Sequence, residues 1–304
     1  MNSQWIGVDW GTSNLRAWSF DGDNNVIAQA RAASGMTRVN GSEFETVLLQ
    51  MTENWLPQSG RIDVIVSGMA GARHGWAEAP YLAAPCAPFA PEKSVSPQVS
   101  DPRIGVTILP GVRTTSPSID VIRGEETQIA GYLCREPDFD GIICLPGTHT
   151  KWVHVSNGLI VSFRTFMSGE LFDLLTNQSS LSCCIAKAGH NQEAFKEAVE
   201  TSMSQPTSLV ARLFGIRAES LLEGLSPADA RSRLSGLLIG AELASCKPFW
   251  LGRRTVVIGE TKIAEAYALS LEMQKVETEI LDASDATIAG LRAFRNQTTV
   301  EATQ

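Results

Sequence analysis

Basic charge is scarce in this sequence: 25 Lys and Arg against 33 Asp and Glu leave a formal net charge of -8 over 304 residues. A long counterion-releasing contact with nucleic acid is therefore not expected, and a small ligand is the better expectation. The chain has no G-x-x-x-x-G-K-[ST], G-x-S-x-G or H-E-x-x-H, which removes P-loop kinases, elbow-type serine hydrolases and zincins. Its cysteines, Cys86, Cys134, Cys144, Cys183, Cys184 and Cys246, show no C-x-x-C spacing, and His74, His149, His154 and His190 have no metal-ligand spacing. Free thiols in a reducing cytoplasm are expected. The most apolar window, Gly236 to Cys246, contains Glu242 and is well short of the ~20 residues that cross a bilayer. Asp9 and Arg16 fall where a signal peptide would be apolar, so neither export nor membrane insertion is expected.

What is present is enough for a real core: 43% of residues are apolar and 19% charged, over a length that suits two domains. Trp5 to Asp9 reads as a short buried strand, Gly11-Thr12-Ser13-Asn14 as a turn and Leu15 to Phe20 as the returning strand. Dense turn chemistry at Asp21 to Asn25 leads to a third strand, Val26 to Arg31. Ser42 and Glu45 read as a capping box, and Phe44, Val47, Leu48, Met51 and Trp55 follow at helical spacing. A fourth strand, Ile62 to Val66, stops at Ser67-Gly68.

The same order returns with strand Gly141 to Leu145, turn Pro146 to Thr150, strand Lys151 to Val155, the Ser156-Asn157-Gly158 turn, strand Leu159 to Arg164 and a helix from Ser168 to about Thr176. After a mostly helical insertion at about residues 178–245, strand Thr255 to Ile258, helix Thr261 to Leu271, strand Val276 to Leu281 and a helix from about Ala286 to Arg295 complete the pattern. The repetition predicts an α/β fold of two like domains, 1–118 and 119–304; if they face each other across a cleft, both Gly-Thr turns point into it. Prolines 80, 85, 88, 91, 97 and 102 mark a long loop region, of the kind that often carries function.

A Gly-Thr turn after a buried strand offers consecutive backbone N–H groups and a hydroxyl, and glycine admits a phosphate close to the main chain. A single such turn is an ordinary hairpin. Two at equivalent positions, Gly11-Thr12-Ser13 and Gly147-Thr148 with His149, Thr150 and Lys151 following, are expected to clasp one nucleotide's phosphates. Asp9, at the end of the first strand, is placed to hold a hydrated Mg²⁺ against phosphate oxygens. Gly124-Glu125-Glu126 opens a helix, and its acids either cap that helix or supply a general base for phosphoryl transfer from ATP to an alcohol.

These residues also carry a resemblance. The run Ile6 to Arg16, the Gly124 to Gln128 segment, Ser67 to Arg73 with Gly75-Trp76 and Glu78 to Tyr81, Pro146 to Trp152, and Phe166 to Phe172 resemble the 2-dehydro-3-deoxygalactonokinase family of the sugar kinase, actin and heat-shock ATPase superfamily. The likeness spans nearly the whole chain. It implies two ribonuclease H-like domains, the first bearing sugar-acid-binding loops and the second the ATP site. It also implies ATP and Mg²⁺ as cofactors and phosphorylation of the terminal hydroxyl of 2-dehydro-3-deoxy-D-galactonate in the cytoplasm. In this reading the base is Glu125 or Glu126, Asp9 holds the metal, and Gly259 lies near the adenosine. Arg16, Gly68, Arg73, Trp76, Tyr81 and Arg113 meet the sugar acid, with Arg16, Arg73, Arg113 and Arg164 all open as holder of its carboxylate. A homodimer is compatible with the family. The alternatives are an exopolyphosphatase-like phosphohydrolase, or a nucleotide-binding sensor without turnover.

Overall fold

In the computed structural model, which describes residues 3–301, every expected strand and helix is present, and further elements lie where no regular structure is predicted. The chain runs β1 (Trp5–Trp10), β2 (Leu15–Phe20), β3 (Val26–Ala32), α1 (Phe44–Thr52), β4 (Ile62–Gly68), β5 (Tyr81–Ala83), β6 (Ile104–Ile108), β7 (Gly111–Thr114), β8 (Asp120–Ile122) and α2 (Glu125–Arg135). It continues through β9 (Gly141–Leu145), β10 (Thr150–Ser156), β11 (Leu159–Phe166), α3 (Ser168–Gln178), α4 (Gln192–Ser204), α5 (Leu209–Leu222), α6 (Pro227–Ser245) and α7 (Lys247–Trp250). The last elements are β12 (Thr255–Gly259), α8 (Thr261–Glu272), β13 (Thr278–Asp282) and α9 (Ala283–Glu301).

The repeated sequence plan becomes a repeated topology. One five-stranded sheet has the order β3-β2-β1-β4-β6 and the other β11-β10-β9-β12-β13. β1 runs antiparallel to β2 and parallel to β4, and β12 runs parallel to β9 and β13. As a central strand, β1 is buried on both faces. Ile6, Val8 and Trp10 pack with Phe44 and Leu48 of α1, while Trp5 lies on the other face with Trp18, Phe20 and, from α9, Leu291 and Phe294. Alternation then assigns Asp9 to the face shared with Trp5 and Gly7, at the strand's end.

Three expectations are revised. Ser42 and Glu45 form no capping box: Glu43 is the N-cap, and the Glu45 carboxylate accepts the backbone N–H groups of Ser100 and Asp101 instead. The proline-rich region includes β5, which with β7 and β8 forms a small three-stranded sheet. β5 is an edge strand of that sheet and ends before Pro85, as proline's missing donor requires.

The compact units also divide differently from 1–118 and 119–304. One takes the chain up to Phe139, Val155–Ser162 and the chain from Ala283 onward; the other takes Asp140–His154 and Phe163–Asp282. The cause lies in α2 and α9, which touch through glycines. A Cβ on Gly131 would sit 1.9 Å from the Ala286 carbonyl, and one on Gly290 would sit 1.9 Å from that of Thr127. Such close backbone approach binds the last helix to the first unit.

Candidate active site

The first glycine turn is closed by the Gly11 N–H, which donates to the Asn14 carbonyl at 2.8 Å, and its other carbonyls are held from one side. The carbonyls of Gly11, Thr12 and Ser13 accept the N–H groups of Met36, Thr37 and Gly35 at 3.0, 3.2 and 3.2 Å. A trans peptide directs each carbonyl opposite to the following N–H, so the N–H groups of Thr12, Ser13 and Asn14 point together away from this support. Adjacent backbone N–H groups turned to one side are the arrangement that a backbone anion nest requires. Gly35 makes the approach possible, since a Cβ there would lie 2.3 Å from the Thr12 carbonyl oxygen.

Asp9 stands beside this turn, opposite Arg16 in the β1–β2 register and next to Ser67 on β4. Arg16 donates to Asp9 Oδ2 and, through Nη1, to Ser284 Oγ at 3.1 Å. Gly68 and Gly124 adopt φ of +94° and +105°, a region other residues rarely tolerate. A Cβ on Gly68 would come within 2.5 Å of the Trp10 carbonyl and 3.4 Å of Asp9 Oδ1. A Cβ on Gly124 would meet Gly68 Cα at 3.3 Å. These glycines bring the N-terminus of α2 against Asp9, and the buried Ser67–Thr127 hydroxyl pair at 2.6 Å holds it there.

The paired acids at that N-terminus differ. Glu126 is fully buried and accepts the Gly124 N–H with both oxygens. Burial, then the neighbouring Glu125 charge, push its carboxyl up to about 8 against the opposing pull of those backbone bonds. Glu125 is half-buried and accepts the Arg123 N–H at 2.9 Å. Both acids turn back onto backbone N–H groups at the helix start, and of the two only Glu125 retains access to solvent.

Among the expected sugar-acid residues, Arg73 and Arg113 are exposed. Trp76 is half-buried and packs against Trp10 and Phe44, so most of its ring belongs to the core. The cation over Tyr81 is Arg123, with its guanidinium 4.2 Å from the ring centroid. Arg123, absent from the sequence reading, also donates to the Ala79 carbonyl at 2.7 Å. It precedes Gly124 and is buried, a combination that no spacing rule reveals.

In the second unit, Gly147 faces open space: a Cβ there would meet nothing within 4 Å. The carbonyl of Thr148 accepts the Glu170 N–H at 2.8 Å, and Glu170 also bonds His149 Nε2. Gly259 packs against Pro146, so it abuts the turn, and a Cβ there would lie 2.9 Å from Pro146 Cγ. Thr150 and Lys151 are buried, with the Thr150 hydroxyl bonded to Tyr267; Thr148 is the turn's exposed hydroxyl. Arg164 is half-buried on β11. Sequence reasoning also missed Glu242, whose signal is a lone acid in the most apolar window.

Among the described residues no group of three or more His, Cys, Asp or Glu is placed to hold a metal, and no helix is long and apolar enough to cross a membrane. A single Asp with phosphate oxygens and water suits Mg²⁺, which keeps most of its water and needs few protein ligands.

The family model of 2-keto-3-deoxy-galactonokinase matches residues 9–294. A probable 2-dehydro-3-deoxygalactonokinase of Rhizobium meliloti (strain 1021) is 36% identical, covering 95% of each chain. The 2-dehydro-3-deoxygalactonokinase of Escherichia coli (strain K12) is 32% identical, covering 97% of this chain and 98% of its own. A crystal structure from Sinorhizobium meliloti described under the same activity matches with a TM-score of 0.89 at 35% identity, over 96% of both chains. The activator of a 2-hydroxyisocaproyl-CoA dehydratase from Clostridium difficile, solved with bound ADPNP, matches at a TM-score of 0.54 and 12% identity, a likeness of fold alone.

Proposed function

The chain belongs to the 2-keto-3-deoxy-galactonokinase family, and we propose that it transfers the γ-phosphoryl group of ATP to the terminal hydroxyl of 2-dehydro-3-deoxy-D-galactonate. Its fold is α/β with two ribonuclease H-like domains of the actin-like ATPase type. The observation that carries the chemical reading is the first turn, whose Gly11, Thr12 and Ser13 carbonyls are held by residues 35–37, which leaves the N–H groups of Thr12, Ser13 and Asn14 for a ligand beside Asp9.

In this reading, the N–H groups of Thr12, Ser13 and Asn14 donate to phosphate oxygens, Gly11, whose own N–H is taken by the Asn14 carbonyl, admits them close to the main chain, and the open space at Gly147 and Thr148 receives phosphate in the second unit. Asp9 would hold Mg²⁺, which neutralises phosphate charge when bound. Arg16 fixes Asp9 rather than the substrate. Glu125 accepts the proton of the attacking hydroxyl; its half-buried position at the first turn of α2 and its neighbourhood to Asp9 support that role. Glu126, sealed beneath it, shapes the helix start. Arg73 and Arg113 remain as exposed cations for the sugar acid's carboxylate, and Tyr81, backed by Arg123, offers a ring and hydroxyl to the sugar chain.

A cytoplasmic location and a homodimer complete the reading, and six cysteines without a disulfide fit a reducing compartment. The phosphohydrolase and sensor alternatives are not favoured by the family. An ADP-release assay over 2-keto-3-deoxy acids, neutral hexoses, polyphosphate and water tests the reading. Turnover is expected with 2-dehydro-3-deoxy-D-galactonate; release of phosphate from polyphosphate without turnover of any sugar acid overturns it.

A further inference from the structure

Glu242 of α6 is 3% exposed, and its carboxylate collects three donors from three separate elements. Trp152 Nε1 of β10 donates to Oε1 at 2.7 Å, while Ser168 Oγ, at the start of α3, and the Tyr267 hydroxyl of α8 donate to Oε2. Tyr267 has a single O–H, so its 2.9 Å contact with Thr150 Oγ1 has the threonine as donor. A directed chain therefore runs from Thr150 through Tyr267 to Glu242. Both ends of the Gly147–Thr150 turn's support meet at this carboxylate. Thr150 begins β10, and Ser168 precedes Gly169, where a Cβ would lie 2.1 Å from the Gly147 carbonyl. Glu170 then bonds the Thr148 carbonyl.

A buried carboxylate is costly, and an apolar residue of similar size could fill the same volume at lower cost. What an apolar residue could not do is fix three donors in one arrangement. We propose that Glu242 is a positioning residue for phosphoryl transfer: by holding Thr150, Trp152 and Ser168 it sets the geometry of the Gly147–Thr150 turn and thereby the affinity for ATP. This rests on the reading that the turn contacts ATP phosphates.

The test is steady-state kinetics of the full-length enzyme with Glu242→Gln, Tyr267→Phe and Ser168→Ala, each beside a melting curve, with Gly147→Val as reference. Glutamine supplies an N–H₂ where a second acceptor is needed, so Glu242→Gln is expected to raise KM for ATP about tenfold, with KM for the sugar acid within about twofold. Tyr267→Phe, which removes one donor of Glu242 and with it the link to Thr150 while leaving Trp152 and Ser168 in place, should raise KM for ATP about threefold. Should Glu242→Gln fail to fold, Tyr267→Phe and Ser168→Ala decide. Unchanged KM for ATP in the folded variants while Gly147→Val weakens ATP overturns the role of Glu242 alone. Unchanged ATP affinity in Gly147→Val overturns the reading of the turn, and the inference with it.

Discussion

Arg16 reaches Asp9 with two nitrogens, Nε and Nη2, and both bond the same oxygen, Oδ2, at 3.0 and 2.6 Å. Oδ1 is left beside the backbone of Gly68 and Gly124. The carboxylate thus has one oxygen committed to orientation and one turned towards the α2 N-terminus. The pair is mostly shielded, with side chains 18% and 14% exposed, so salt screens it less than a surface pair.

Asp9→Asn should therefore abolish most Mg²⁺-dependent turnover, by about 10²-fold or more, on the scale of removing one electrostatic stabiliser. Its melting temperature should fall only slightly, because the amide oxygen can still accept from Arg16. Kinetics over a Mg²⁺ titration, with a melting curve, check this; undiminished activity removes Asp9 from the site.

Gly147→Ala and Gly169→Ala should separate binding from folding. The first methyl enters open space and the second lies 2.1 Å from the Gly147 carbonyl. Calorimetric ATP titration is expected to show weaker binding in Gly147→Ala at an unchanged melting temperature. Gly169→Ala should instead lose about 1–3 kcal/mol of stability through overpacking, read by denaturant unfolding.

Glu125→Gln is expected to lower kcat by about 10²-fold, the lower end for a general base, since a loose phosphoryl transition state leaves the proton in place until late. ATP affinity should hold. Glu126→Gln should leave kcat within a factor of about three while changing stability, because its carboxyl is sealed from substrate. The reverse pattern would exchange the two roles.

Glu126 also carries a pH signature. Its folded-state pKa, about 8, lies above the ordinary value of 4.5, so the native state binds more protons across that interval. Its contribution to stability is fully present below pH 4.5 and is lost as pH rises through about 8. Burial also raises the Glu242 carboxyl, to about 7, so chemical unfolding from pH 5 to 9 should show a decline with pH that is shallower in Glu126→Gln than in the parent protein. Parallel curves for the two proteins would rule out this burial effect.

Much of the scaffold was legible in the sequence because it is local. Glycine, asparagine and aspartate announce turns where they stand, and strand alternation and helical spacing repeat within a few residues. The duplicated strand–turn–strand order, the two glycine turns, Asp9 at a strand end and Gly124 before a pair of acids could all be found this way. Glu126 could not be told from Glu125, because burial depends on what covers a residue rather than on its neighbours in the chain. For the same reason Glu45 read as a cap until Ser100 and Asp101 offered it better donors, and nothing local announced that Arg123 would lie over the Tyr81 ring. The return of α9 to the first unit depends on glycine meeting backbone across more than half the chain, and the donors of Glu242 come from three separate elements. The sequence by itself determined the elements and their order; tertiary packing decided which side chains are sealed, paired or open to a ligand, because desolvation and hydrogen-bond satisfaction are properties of the assembled surroundings.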